Sequence, residues 1–428
     1  IYSNNASSTG SLGFALSGEY GSLTLDASGN YTYAAGSGTV HLGVGESVTD
    51  VFTYTVHSGG TDFTQTISIV INGTNDDPTI TSSSSSAHYV DTSGDDNFSA
   101  TTGNLSATDP DTNDTLTYGI SGGSADNSQS GFDWSCVGTY GTLFINSSTG
   151  AYEYIPNDAA IEGLTSGSAE SFLFTVDDGH GGHVTQEYDV FISATNDTPD
   201  LQSISGMTYT DTSGDDTFAT QSGTLVGSDR DVGQTLTYHA SSEVSDGSQS
   251  GFDHSVSGTY GTLYFNASTG AYEYIPADGA IEALKTGATE TFSFTVSDGS
   301  LSSGSQTLTI TLNGANDTPE ASAISATGLV EAGTGVTGTA DSSATVSFTD
   351  RDAGDTPHVD GATLVSNGWT NNHDGTYSLA GTYGTATVNC STGVVSYHLD
   401  DASSATQALN VDDHVTDTFT IYGTDGSA

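Results

Sequence analysis

The chain has 428 residues, in which 53 Asp and Glu stand against three Lys and Arg, a formal charge of −50. That balance excludes nucleic acid as a partner, because phosphate recognition needs Lys and Arg, and it argues against docking on an anionic bilayer, which requires polybasic segments. Self-repulsion of this size opposes a compact state unless cations neutralise it, so the carboxylates demand a chemical explanation.

At roughly 100–200 residues per domain the length predicts two to four domains. Acidic, Ser/Gly-rich chains are often unfolded, but here 21 Tyr and 16 Phe are present and they fall at alternate positions, the period of strands. Cys136 and Cys390 lie far apart, which makes neither a disulfide scaffold nor a zinc site. Near-absence of Cys, Lys and Arg suits a secreted chain that gets its rigidity from a metal. No apolar run approaches the roughly 18–20 residues of a membrane span, so no membrane insertion is expected. Residues 1–20 lack the basic start and apolar core of a signal peptide, which places any export signal outside this segment.

In chain order, the first block covers residues 1–77, carries Tyr20-Gly21-Ser22-Leu23 and closes at Asn75-Asp76-Asp77-Pro78. The second, 78–198, shows DTSGDD at 91–96, Asp109-x-Asp111, SQSGFD at 128–133, TYGTL at 139–143, STGAYEYIP at 148–156 and TVDDG at 175–179, and closes at Asn196-Asp197-Thr198-Pro199. The third, 199–318, repeats these marks 120 residues later, with DTSGDD at 211–216, Asp229-x-Asp231 and TVSDG at 295–299, and closes at Asn316-Asp317-Thr318-Pro319. The fourth, 319–428, carries Asp350-x-Asp352 and Tyr383-Gly384-Thr385-Ala386. The first block lacks opening strands and the fourth a closing strand. The expectation is a window cut from a longer array, or ends completed by strands of neighbouring copies.

Strands read clearly within the third block. Leu236 and Tyr238, Phe292 to Val296, and Leu308 to Leu312 alternate apolar and polar positions. The turn Asn266 to Gly270 joins the Tyr-Gly-Thr-Leu strand to Ala271–Ile275 as a hairpin, and Ala280–Leu284 hints at a helical turn. About seven short strands in 100–120 residues predict an all-β tandem array of immunoglobulin- or cadherin-like β-sandwiches. A parallel β-helix would show a far shorter period.

The fourth block, with LVEAGTG at 329–335, DRDAGDT at 350–356, GTYGTATVNCSTGVVSYHLDD at 381–401 and DTFTIYGTDG at 417–426, resembles the VCBS repeat of bacterial surface and RTX-type adhesins. The second and third blocks resemble its cadherin-like relatives. The resemblance implies extracellular extender modules that space an adhesive tip from the cell and are stiffened by calcium.

The repeated acidic residues point the same way. Calcium takes six to eight oxygens from carboxylates, amide side chains and carbonyls. An Asp-x-Asp on extended backbone directs both carboxylates to one face, and the Pro of Asn-Asp-x-Pro stiffens the linker. The expected ligands are Asn75, Asp76, Asp109 and Asp111 at the first junction, Asn196, Asp197, Asp229 and Asp231 at the second, and Asn316, Asp317, Asp350 and Asp352 at the third. Asp177 or Asp178 is expected to add a ligand at the second. These sets resemble the linker and Asp-x-Asp ligands of cadherins, whose Glu-rich motif has no visible counterpart here. The bland alternative is that Asp and Asn are turn residues, against which three copies in register weigh. The DTSGDD segments read equally as a calcium loop or a solvated hairpin.

Other candidates fall away. His180 and His183 sit in a Gly-rich turn, and the third block has Ser300 and Ser303 there. Trp134 aligns with His254 and reads as a local surface feature. Tyr140, Tyr260, Tyr272 and Tyr274 read as sandwich packing rather than sugar platforms. Glu153 and Glu273 repeat without a second carboxylate, so no glycosidase pair can be built, and no other catalytic motif is present. The chain reads as a non-enzymatic, extracellular, cell-surface segment of an adhesin or biofilm-matrix protein, with calcium, neighbouring repeats or copies of itself, and cell-surface or matrix glycans as candidate partners. The alternatives are a subunit of a filament or surface layer, assembled head to tail, and a carbohydrate-binding module.

Overall fold

The computed structural model describes residues 1–3, 9–83 and 85–427. The chain is a tandem set of β-sandwiches and divides into two compact units, residues 1–198 with 229–234 and residues 199–228 with 235–428.

In the first unit, a four-stranded sheet runs in the order Thr117–Ile120, Ser168–Asp177, His183–Ser193, Ser86–Val90. Its last strand pairs in parallel with His183–Ser193, and the other neighbours are antiparallel. Facing it is an antiparallel five-stranded sheet, Ser124–Ala125, Trp134–Val137, Gly141–Ile145, Ala151–Pro156, Thr101–Asn104. Alternate residues point inward, so Phe172, Phe174 and Val176 from one sheet meet Leu143, Ile145, Tyr152 and Tyr154 from the other. Trp134, expected at the surface, is half-buried against this core, and its indole N–H points at the Ile120 carbonyl. The same unit carries two three-stranded sheets over residues 2–72, with Leu16, Leu23 and Phe52 at their core.

The second unit repeats the plan. Met207–Thr210, Gln306–Asn313, Ala288–Ser297 and Thr237–Ala240 form the four-stranded sheet, and Gln221–Thr224, Ala271–Pro276, Gly261–Phe265, His254–Ser257 and Val244–Ser245 the five-stranded one. The expected hairpin is present: Gly261–Phe265 pairs with Ala271–Pro276. The Asn266 side-chain oxygen accepts from the N–H groups of Ser268 and Thr269, and Gly270 sits at φ +72°, where a Cβ would strike the Leu225 carbonyl. Only Gly suits that position. Further along, Asp341–Thr345, Val394–Leu399, Gly384–Asn389, Thr376–Ala380 and Thr370–Asn371 form a five-stranded sheet over a smaller core around Leu364, Trp369 and Val388.

The expected helical turn is Asp278–Ile281, with a twin at Asp158–Glu162. A third short helix, Gly361–Ser366, was not anticipated. Its N-cap is Asp360, whose carboxylate accepts from the N–H groups of Ala362 and Thr363. Equally unanticipated is a clasp that recurs in every block. A tyrosine hydroxyl donates to a buried or half-buried carboxylate in all four blocks: Tyr33 to Asp50 at 2.8 Å, Tyr154 to Glu170 at 2.6 Å, Tyr274 to Glu290 at 2.8 Å and Tyr397 to Asp417 at 2.7 Å. Backbone N–H groups of the adjoining turn donate to the same carboxylates, as Thr139 and Tyr140 do to Glu170.

Candidate metal centres

Three acidic clusters form where the linkers Asn75–Pro78, Asn196–Pro199 and Asn316–Pro319 meet the Asp-x-Asp loops. Each pair sits in a bend rather than on extended backbone. The second Asp donates its N–H to the first one's carboxylate, at 2.8 Å for Asp111 to Asp109 and at 2.9 Å for Asp231 to Asp229 and Asp352 to Asp350. This Asx turn brings the two side chains together. The second carboxylate then accepts the linker N–H: Asp76 donates to Asp111 at 2.9 Å, Asp197 to Asp231 at 2.6 Å and Asp317 to Asp352 at 2.7 Å. The linker Asn turns its amide N–H back onto the next carbonyl in all three copies.

In the first cluster, Asp109, Asp111 and Asp114 bring oxygens within 4.8 Å of one another. Asp109 Oδ2, Asp111 Oδ1, Asp114 Oδ2 and Asn75 Oδ1 are buried without a hydrogen-bond partner. Asp178 Oδ2 accepts from the Asn75 amide at 2.7 Å. The structure therefore moves Asp178 from the second junction to the first. The antiparallel strand Ser168–Asp177 ends at the face of the sheet where the Asn75 linker lies, not at the far end where residues 196–199 leave it. His180 also stands here, with its Nδ1 3.2 Å from Asp114 Oδ2. Asp76 remains exposed.

The second cluster, within the first unit, adds Asp91 from the DTSGDD segment and Glu162, which sequence reasoning did not place. Asp91 and Glu162 are 1% and 6% exposed and lie with Asp197 and Asp231 at 0% and 4%. Asp96 completes a triad with Asp91 and Glu162, and its N–H donates to Glu162 Oε1 at 3.1 Å. Gln234 donates to Asn196 Oδ1 at 2.6 Å. The third cluster, within the second unit, has the same design: Asp211, Asp216 and Glu282 form one triad and Asp350, Asp352 and Asp355 another. Asp317 is fully buried, and Asn316 donates to Asp425 at 2.6 Å.

The electrostatics are those of crowded anions. Burial, then the charges of Asp91, Glu162 and Asp231, push Asp197 up to about 7, against the pull of Arg230. Burial and the neighbouring Asp211 and Asp352 push Asp317 up to about 6, and Glu282, Glu162, Asp91, Asp109 and Asp352 also rise, with burial the leading cause in each. Both carboxylate oxygens of Asp197 and of Asp317 are buried without a partner. Such groups are costly unless a cation pairs with them. The chain's three basic residues all stand at the second and third clusters. Arg230 Nε lies 3.4 Å from Glu162 and 3.5 Å from Asp95, Arg351 faces Asp215, Glu282 and Glu320, and Lys285 contacts Asp355. The donor set is hard and oxygen-rich, which is what a calcium-class ion requires.

Of the twelve expected residues, eleven have their side chains at the three clusters, and Asp76 reaches the first only through its backbone N–H. Asp91 and Asp211 come from the DTSGDD segments, whose reading the sequence left open between a calcium loop and a solvated hairpin, whereas Glu162 and Glu282 were missed as members. The only sequence signal was their repetition at identical offsets in the second and third blocks, since Glu162 lies 66 residues from Asp96.

No protein-family model matches the chain, and no curated protein matches it. Among solved structures it is similar to extracellular cadherin domains 1–5 of protocadherin gamma B2, with 16% identity over 92% of this chain and 68% of that one, at a TM-score of 0.34. It is also similar to human CDH23 EC21–23, with 15% identity over 77% of this chain and 92% of that one, at 0.31. A third is the protocadherin gammaB4 extracellular domain, with 15% identity at 0.26, where the match takes in 69% of this chain and 44% of that one. The assignment to tandem β-sandwiches stands on the sheets and cores described above.

Proposed function

We propose that this chain is a non-enzymatic, extracellular extender segment of a large bacterial adhesin or biofilm-matrix protein, made rigid by calcium at the linkers between its repeats 1–77, 78–198, 199–318 and 319–428. The observation that carries the reading is the recurrence of enclosed, unpartnered carboxylate oxygens where each linker meets an Asp-x-Asp loop. Asn75, Asp76, Asp109 and Asp111, Asn196, Asp197, Asp229 and Asp231, and Asn316, Asp317, Asp350 and Asp352 would supply oxygens, joined by Asp91, Glu162, Asp211 and Glu282. Without metal the carboxylates repel and the linkers bend; calcium supplies the positive charge that brings them together. Small-angle scattering of the whole chain tests this. The maximum dimension should grow on adding millimolar calcium and shrink with chelator, and an unchanged profile would refute it.

A further inference from the structure

The first cluster differs from the other two in one chemical respect: it contains an imidazole. Asp114, Asp178 and His180 each offer one ligand atom, and those atoms lie within 4.8 Å of one another. Among the described residues it is the only such group of three that includes His. Asp178 is 2% exposed and the Asp114 side chain 4%, whereas His180 keeps 44% of its side chain open to solvent. The floor is built and the mouth is accessible.

Two observations mark this as a prepared pocket rather than a crowd of acids. Asp114 Oδ2 is buried without a hydrogen-bond partner and faces the imidazole. The Gly182 backbone closes over Asp178 so tightly that a Cβ there would collide with Asp178, Asn75 and Asp77. Asp178 itself is held in place by the Asn75 amide, which donates to its Oδ2 at 2.7 Å, and by the N–H groups of His180 and Gly182. The loop that presents His180 is fixed by the same bonds, 2.7 Å from the His180 N–H and 3.1 Å from the Gly182 N–H to Asp178 Oδ1.

The equivalent positions elsewhere lack the donors. Ser300 and Ser427 replace His180, and Gln234 replaces Asp114 in the third block. In the fourth block Asp355 keeps the carboxylate, but Lys285 occupies it. Imidazole nitrogen suits zinc and its neighbours, whereas all-oxygen sets suit calcium. Two carboxylates and one imidazole match the number of protein ligands in a three-ligand zinc site.

We propose that Asp114, Asp178 and His180 form a site for a zinc-class divalent ion, beside the all-oxygen set of Asp109 and Asp111 and sharing Asp114 with it. The site rests on reading the first cluster as a metal centre. It makes this cluster responsive to two different ions, where the second and third respond to calcium alone.

The test is calorimetric titration of the whole chain with Zn²⁺ in saturating calcium, with Co²⁺ as a visible-absorbing stand-in and thermal melting as a separate readout for calcium. One Zn²⁺ should bind per chain. His180→Ala should weaken it by at least about tenfold and remove the cobalt band, while His183→Ala leaves both intact. In His180→Ala the calcium-induced rise in melting temperature should persist, which shows that the chain folds and the oxygen centres work. Zinc uptake indifferent to His180→Ala, or lost altogether in saturating calcium, would overturn the proposal. If calcium produced no melting shift while His180-dependent zinc binding remained, the calcium reading would fall and the zinc site would stand.

Discussion

Replacing Asp197 by Asn should have opposite effects with and without metal. The Asp197 side chain is fully enclosed and neither of its oxygens has a hydrogen-bond partner. Its pKa rises from 3.8 to about 7, and at about 1.4 kcal/mol per unit this places a ceiling of about 4 kcal/mol on the cost of keeping it ionised above pH 7. Asp197→Asn removes the charge at nearly constant volume and leaves the backbone N–H bond to Asp231 in place. In EDTA at pH 8 the variant should therefore be more stable by about 2–4 kcal/mol, which for a unit of this size raises the melting temperature by about 5–15 °C. In millimolar calcium the order should invert, because the amide is a weaker ligand than the carboxylate and the linkage term shrinks. Differential scanning calorimetry of both proteins in both buffers reads all four states. Equal destabilisation in EDTA and calcium would show that Asp197 is an ordinary turn residue and would refute the reasoning.

The pH profile should carry the same signature. Asp197 at about 7 and Asp317 at about 6 hold protons more tightly in the fold than an ordinary aspartate, which titrates at 3.8. Between pH 4 and 7 the folded metal-free chain therefore binds more protons than the unfolded one, and its stability falls as pH rises. Melting in EDTA should be higher at pH 5 than at pH 8, and in calcium the trend should reverse because protons compete with the metal. A flat EDTA profile would contradict the raised values. In the sandwich itself, Tyr154→Phe deletes the hydroxyl that donates to Glu170 at 2.6 Å and should cost about 1–3 kcal/mol. Urea unfolding measures it, and an unchanged midpoint would mean the clasp between the sheets contributes nothing.

What the sequence by itself determined is what local physics controls. Alternation at Phe292, Phe294 and Val296 fixed which faces are buried, because side chains in a strand point to opposite faces in turn. Asn266 and Gly270 announced their turn through a side-chain cap and a positive φ that few other residues allow. The Asp-x-Asp pairs and the linker Asn-Asp were legible as one chemistry because they recur in register. The tertiary structure alone decided which distant residues complete each cluster. Asp178 meets Asn75 across 103 residues of chain because an antiparallel strand returns to the end of the sheet where its predecessor began. Glu162 joins Asp91 because one helical turn folds over the DTSGDD loop. His180 looked dispensable, since the third block has Ser300 there, until the fold set it 3.2 Å from Asp114. A repeat shows which residues the array shares, but only packing places a residue that one copy has and the others lack.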